Sequence, residues 1–188
     1  MFFTVPTLLT WTRILAIPLL VGVFYIGLKP ELQNLLATVM FVVFALTDWL
    51  DGYLARVLDQ TSSFGAFLDP VADKFLVCAA LLVLVDQQRA DVFVALIIIG
   101  REIAISALRE WMAGLGQRRS VAVAFIGKLK TVAQMTAIVA LLLHEPLIPG
   151  VPTPVIGTVA LWVAAILTLW SMFHYLKLAA PHLHGYRQ

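Results

Sequence analysis

Charged side chains are scarce in this sequence. Asp, Glu, Lys and Arg make up 13% of its 188 residues, whereas hydrophobic residues make up 61%. Because water-soluble domains usually carry about a quarter charged residues, this composition excludes an ordinary soluble domain and indicates a membrane protein. Cysteine is scarcer still, and with Cys78 alone no internal disulfide can form. The formal net charge of +2 is too small to indicate nucleic-acid binding.

Six apolar runs are long enough, or nearly so, to cross a bilayer, which takes about 20 residues. Turn-forming residues separate several of these runs. We therefore predict an all-α, polytopic membrane protein, a bundle of six transmembrane helices in a single domain over residues 1–188. The predicted spans are Val5 to Leu28, Leu35 to Arg56, Phe64 to Val85, Val92 to Met112, Ala122 to Leu143 and Val155 to Leu178.

Basic residues are distributed unevenly between the two ends of these spans. If the spans alternate in direction, Lys29 and Arg89 fall on one side of the membrane and most other basic residues fall on the opposite side. The positive-inside rule places the more basic side, together with both termini, in the cytoplasm. The residues on the basic side are Arg56, Lys74, Arg101, Arg109, Arg118, Arg119, Lys128, Lys130, Lys177 and Arg187.

Four aspartates lie at the adjoining ends of the second and third predicted spans. Asp48 and Asp51 are three residues apart and Asp69 and Asp73 are four apart, spacings that place each pair on one helix face. Because the loop between the two spans is short, we expect adjacent, antiparallel helices and converging carboxylates near the cytoplasmic surface. Such a cluster needs protons or cations in a low-dielectric setting, and an all-oxygen ligand set favours Mg²⁺ or Mn²⁺ over zinc.

Two such ions side by side would clamp a diphosphate. Gly52 and Gly65 let the backbone approach a bulky ligand such as a nucleotide, and Arg56 could bind phosphate. The alternative for the four aspartates is a structural ion network at the membrane interface. The single aspartates Asp59 and Asp91 are predicted to be helix N-caps or loop anchors.

The segment from Asp48 to Asp73 matches, at every fixed position, the signature D-x2-D-G-x2-A-R-x8-G-x3-D-x3-D of the CDP-alcohol phosphotransferases. This resemblance implies a six-helix membrane fold, a homodimer, two metal ions and a CDP-linked donor. It implies that Asp48, Asp51 and Asp69 bind metal, and that Asp73 joins the metal site and is the general base. It also implies that the CDP pocket is lined by Asp48, Gly52, Ala55, Arg56 and Gly65.

A second basic cluster bears on the acceptor. Arg101 lies well inside the fourth predicted span, where an uncompensated guanidinium is costly, so we expect it to face the bundle and meet an anion. Arg109 lies eight residues on, on about the same face, and Lys128 or Lys130 could complete a phosphate pocket. This cluster favours a phosphorylated acceptor. The alternatives are that Glu102, Asp73 or another acid neutralises Arg101 structurally and that the lysines face anionic headgroups.

Three further segments, Pro6 to Arg13, Gly100 to Trp111 and Gly127 to Thr131, resemble the bacterial members of this family that use glycerol phosphate. The resemblance implies transfer of the phosphatidyl group from CDP-diacylglycerol to sn-glycerol 3-phosphate, giving phosphatidylglycerol phosphate and CMP. It implies a site on the cytoplasmic face of a bacterial inner membrane, with Thr10 and Arg13 near the pocket. The alternatives are another acceptor (inositol phosphate, serine or phosphatidylglycerol) and, outside the family, a divalent-cation transporter.

Overall fold

The structure is a computed structural model that describes residues 5–57, 63–114, 125–146 and 150–183. For residues 5–10, 13, 48–57, 63–70, 125–126 and 181–183 it describes the backbone alone. Within these ranges every regular element is an α-helix, which confirms the predicted all-α fold. The helices are α1 (Val5–Gly22), α2 (Pro30–Val57), α3 (Ser63–Asp86), α4 (Val92–Gly114), α5 (Phe125–Leu143) and α6 (Thr153–Leu183).

The first helix is shorter than the apolar run that predicts it. We expected a span to Leu28, but α1 ends at Gly22, where the N–H of Tyr25 donates to the Gly22 carbonyl at 2.9 Å and closes a turn. Gly27 then takes a φ of +72°, a conformation that glycine adopts without strain. Pro30 begins α2, at a position whose missing N–H the first helical turn would not use.

Two side chains satisfy helix ends on the side of the bundle remote from the four aspartates. Asp91 accepts a hydrogen bond at 2.8 Å from the backbone N–H of Phe93, which confirms its predicted role as the N-cap of α4. Arg89, in the preceding turn, donates to the carbonyl oxygens of Leu141 and Leu142 at 3.3 and 3.0 Å. These carbonyls belong to the last turn of α5, which has no helical donors left for them.

The buried core has two parts. The larger part lies among α1, α2, α3, α5 and the first halves of α4 and α6; its largest members are Leu20, Phe41, Leu76, Leu81, Leu84, Ile98, Ile138, Leu141 and Leu142. The smaller part joins the second halves of α4 and α6 through Ile105, Met112, Tyr175 and Ala179. The most extensive helix contact is between α5 and α6, and α4 also packs on α6. The α4–α6 contact holds the basic residues of α4 against α6.

The outer surface of the bundle is apolar. Large hydrophobic side chains such as Leu19, Leu82 and Phe93 are exposed, an arrangement that soluble proteins avoid over extended areas. In the described ranges, two helices contain long apolar segments with few charges, Pro30–Thr47 and Thr153–Ala180. Only 22% and 33% of these segments are buried, whereas the core helix of a soluble protein would be mostly buried. The exposed apolar faces therefore fit lipid contact.

Candidate active site

The four aspartates lie on the two helices that the spacing predicts. Asp48 and Asp51 belong to the last turns of α2, and Asp69 and Asp73 belong to the first turns of α3. Residues 58–62 join these helices, and α2 contacts α3, which confirms that the two are neighbours. Asp59 lies outside the described residues. An all-carboxylate donor set on adjoining helix ends suits Mg²⁺ or Mn²⁺.

Most residues of the predicted metal and CDP sites lie where the structure describes the backbone alone. Their side-chain placement is outside the described part of the chain, so their assignments stay predictions. They are Asp48, Asp51, Gly52, Ala55, Arg56, Gly65 and Asp69, and with them Thr10 and Arg13. Asp73 is the member of the aspartate set whose side chain is described.

Asp73 lines a small polar cavity between α3, α4 and α5. The cavity has a volume of about 60 Å³. Its lining is Asp73, Lys74, Val77, Glu102, Lys130, Thr131, Gln134 and Met135. The space is small and its lining is mostly polar, so it suits a polar group and not a lipid chain. The structure thus brings the predicted base together with Lys130 of the predicted acceptor pocket.

Glu102 is shared by two cations inside the bundle. One of its carboxylate oxygens accepts a hydrogen bond from Nη1 of Arg101 at 3.3 Å, and the same oxygen accepts one from Nζ of Lys130. Arg101 and Lys130 are only 7% and 5% exposed. Arg101 faces the bundle as expected, but the anion it meets is Glu102, the acid named above as the structural alternative to a bound phosphate. Glu102 thus compensates the buried charges and also orients both cations beside the cavity.

Tyr175 of α6 connects the two arginines of α4. Its ring lies under both guanidinium groups, with its centroid 5.8 Å from Cζ of Arg101 and 5.0 Å from Cζ of Arg109. Nη2 of Arg109 donates to the Tyr175 hydroxyl at 3.0 Å, and Nη2 of Arg101 donates to Ser171 at 2.8 Å. The ring attracts both cations through its quadrupole. The predicted common face of Arg101 and Arg109 is therefore confirmed.

The sequence predicts no part of the site on α6, so the role of Tyr175 was missed. A signal was present, because Thr168, Ser171 and Tyr175 are spaced by three and four residues and form a polar stripe on an otherwise apolar helix. All three are buried. Ser171 and Tyr175 of this stripe accept hydrogen bonds from Arg101 and Arg109, and so provide polar partners that those arginines need inside the bundle.

Lys128 and Lys130 have different surroundings. Lys130 is buried against Glu102, whereas Lys128 is exposed. Positions two residues apart on a helix point in directions that differ by about 200°, so the side chains of Lys128 and Lys130 cannot face the same pocket without distortion. The structure brings Arg101 and Lys130 together on Glu102, which lines the cavity with Lys130. Arg109 lies beside Arg101 over the ring of Tyr175, and Lys128 is left on the outer face. This placement does not support the inclusion of Lys128 in an acceptor pocket.

The described side chains around the cavity and Tyr175 carry more positive than negative charge. The cations are Lys74, Arg101, Arg109 and Lys130, and the carboxylates are Asp73 and Glu102. Arg101 and Lys130 are buried and share one carboxylate, that of Glu102, and a buried charge is costly unless an anion compensates it. The arrangement can therefore hold an anionic group next to a carboxylate able to accept a proton.

Comparison with known proteins gives a consistent result. A family model described as CDP-alcohol phosphatidyltransferase matches residues 3–170. A protein of Pectobacterium atrosepticum is 50% identical over 185 residues, which are 97% of each chain. A protein of Escherichia coli is 50% identical over 186 residues, covering 97% of this chain and 98% of the relative. Both relatives are named CDP-diacylglycerol–glycerol-3-phosphate 3-phosphatidyltransferase.

Proposed function

This chain belongs to the CDP-alcohol phosphatidyltransferase family, and on that premise we propose that it transfers the phosphatidyl group of CDP-diacylglycerol to sn-glycerol 3-phosphate. The products are phosphatidylglycerol phosphate and CMP, and the reaction serves anionic phospholipid synthesis. The activity named for relatives that are half identical over nearly the whole chain supports this assignment.

The observation that carries the proposal is the cavity shared by Asp73 and Lys130. A phosphorylated alcohol needs a base near its hydroxyl and a cation near its phosphate, and this cavity supplies both kinds of group. Arg101 and Arg109 extend the positive charge along α4. A neutral acceptor would leave that charge without a function.

In the proposed reaction, Asp73 accepts the proton of the primary hydroxyl of glycerol phosphate. The resulting oxygen attacks the lipid-side phosphorus of the donor, and the bond from this phosphorus to the bridging oxygen breaks, so that CMP leaves. The basic residues hold the acceptor phosphate and keep its hydroxyl in range. Two Mg²⁺ or Mn²⁺ ions, which Asp48, Asp51, Asp69 and Asp73 would hold, offset the negative charge of the diphosphate when bound.

Location and assembly belong to the same proposal. We place the protein in a bacterial inner membrane, as a homodimer, with its active site at the cytoplasmic face. The concentration of basic residues on one side of the spans supports this orientation. Soluble glycerol phosphate would then reach the site from the cytoplasm, while the acyl chains of the donor stay in the bilayer.

An acceptor panel tests this function. The purified protein receives CDP-diacylglycerol, Mg²⁺ and one of four acceptors: sn-glycerol 3-phosphate, inositol phosphate, serine or phosphatidylglycerol. We expect CMP release and a new phospholipid with glycerol phosphate alone. Chelation should stop turnover, and added Mg²⁺ or Mn²⁺ should restore it. Turnover with a different acceptor would reassign the substrate, and metal flux into liposomes without CMP release would favour a transporter.

A further inference from the structure

Gln134 is a polar side chain of the cavity beside Asp73 that the proposed reaction does not use. Gln134 lines this cavity and is only 4% exposed. It follows Lys130 by one helical turn of α5, so both side chains are on the same helix face. Its amide oxygen Oε1 is buried and accepts no hydrogen bond from the part of the chain that the structure describes.

A buried amide oxygen without a partner costs free energy, and a ligand that supplies a donor removes this cost. The neighbouring Glu102 already accepts hydrogen bonds from Arg101 and Lys130. Gln134 is thus positioned to serve a donor that enters the cavity. The amide oxygen of Gln134 can accept a hydrogen bond from an N–H or an O–H. Because the cavity is small, the donor must belong to a small polar group.

The proposed acceptor has such a group in the right place. Glycerol phosphate carries its reacting hydroxyl at one end, its phosphate at the other and a secondary hydroxyl between them. With the reacting end at Asp73 and the phosphate at the cations, the middle hydroxyl enters the same cavity. Gln134 lines this cavity with Asp73 and Lys130.

We infer that Gln134 accepts a hydrogen bond from the secondary hydroxyl of the acceptor and thereby selects a polyol phosphate over a simple hydroxyalkyl phosphate. This inference rests on the proposed function and deepens it. A site that hydrogen-bonds a substrate hydroxyl rejects an analogue lacking it, because the buried group of the site is then left unpaired.

The test compares sn-glycerol 3-phosphate with 3-hydroxypropyl phosphate, which lacks only the secondary hydroxyl. We measure kcat/KM for both with the wild-type protein and with Gln134→Met, which keeps the side-chain length but removes the amide. The wild type should prefer glycerol phosphate by about tenfold to hundredfold. In Gln134→Met this preference should fall to about onefold or twofold, with the loss confined to glycerol phosphate.

Asn34→Leu is the matched control. Asn34 is also a buried amide whose oxygen lacks a partner in the described ranges, but it lies near the beginning of α2, at the end remote from Asp48 and Asp51. This variant should keep the wild-type preference. A second variant, Gln134→Asn, retains an amide but shortens its reach, and it should lose most of the preference even if Gln134→Met does not fold.

Each outcome decides the inference. Equal use of the two acceptors by the wild type overturns it, and so does an unchanged preference in either Gln134 variant. If the wild type releases no CMP with glycerol phosphate at all, the proposed function and this inference fall together. If the wild type is active and selective but the Gln134 variants are equally selective, only the inference falls.

Discussion

Asp73 combines two properties that separate it from a structural acid. It lies on the face of α3 that lines the polar cavity, and it is only partly buried, so a ligand in the cavity can reach its carboxylate. Lys130 lines the same space. A carboxylate within reach of a bound hydroxyl is placed to accept its proton.

We predict that Asp73→Asn lowers CMP release by at least about hundredfold, because an amide cannot act as a base. Binding of CDP-diacylglycerol, measured by calorimetry in detergent, should persist. The control is Asp86→Asn at the other end of the same helix, where the carboxylate is exposed and accepts a hydrogen bond from Tyr25 at 3.2 Å. Near-normal turnover in Asp73→Asn would show that Asp73 is not the general base.

Arg109 allows a second prediction for single residues. Arg109→Ala should raise the KM for glycerol phosphate more than the KM for CDP-diacylglycerol, since its guanidinium belongs to the proposed phosphate pocket. Tyr175→Phe keeps the ring beneath Arg109 but removes the hydroxyl that accepts its hydrogen bond. This milder change should raise the acceptor KM by about twofold to tenfold. Steady-state kinetics with each substrate varied in turn measures both effects, and equal rises for the two substrates would indicate a structural role.

At the scale of helices, a single carboxylate joins α4 to α5. Glu102 of α4 bonds Lys130 of α5, and it also pairs with Arg101 in its own helix. Removing one partner of a buried charge pair leaves the remaining charges uncompensated, which costs more than the pair itself contributes.

Glu102→Gln should therefore destabilise the protein by about 3 kcal/mol. Glu110→Gln makes the same chemical change at an exposed position on the same helix, and it should have little effect. Thermal unfolding in detergent compares the two variants. If both unfold at the wild-type temperature, Arg101 and Lys130 have another counter-charge.

The α5–α6 interface depends on one glycine. A Cβ at Gly157 would lie 2.8 Å from Cγ of Leu141 and 3.2 Å from Cβ of Ala140. Leu141 is only 1% exposed and is held in the core, so it cannot move aside freely. The absent side chain thus permits the close approach of the two helices.

Gly157→Ala should lower the free energy of unfolding by about 1–3 kcal/mol, the usual cost of overpacking. Gly100→Ala on α4 is the matched substitution, because no described atom lies within 4 Å of the added Cβ. That variant should be neutral or up to about 1 kcal/mol more stable, since alanine favours helix. Unfolding of both in the same detergent checks the prediction, which a stable Gly157→Ala protein would contradict.

At the scale of the whole molecule, the helix bundle keeps an apolar outer surface apart from a polar interior region. The outside is lined by apolar side chains that suit lipid. Among the described residues, the buried polar side chains other than Asn34 and Thr38 lie on α4, α5 and α6, near the cavity and Tyr175. This separation lets an enzyme keep acyl chains in the bilayer while a charged acceptor binds inside. The proposed orientation puts the polar region at the cytoplasmic face.

We predict that a membrane-impermeant maleimide labels Lys29→Cys in intact spheroplasts, but labels Lys128→Cys only after permeabilisation. Both lysines are exposed and lie at opposite ends of the spans. The background variant is Cys78→Ala, which removes the native thiol. The reverse labelling pattern would invert the orientation and place the site outside the cytoplasm.

The sequence alone determined the helical architecture and the family. Long apolar runs predicted six helices at nearly the observed positions, because membrane spans are set by local composition. The spacing of Asp48, Asp51, Asp69 and Asp73 put each pair within a single helix, which depends only on helical geometry. The end of α1 was placed too late, because apolar residues continue through the turn after Gly22.

Tertiary structure alone decided which polar groups meet. Helix packing puts Tyr175 beneath both arginines and brings Glu102 to Lys130. It also places Gln134 in the wall of the cavity that Asp73 lines. Periodicity defines the faces of each helix within a few residues. The choice of which helix faces pack together depends on the fit of side chains from segments far apart in sequence, such as Leu141 against Gly157. No local sequence pattern contains that information.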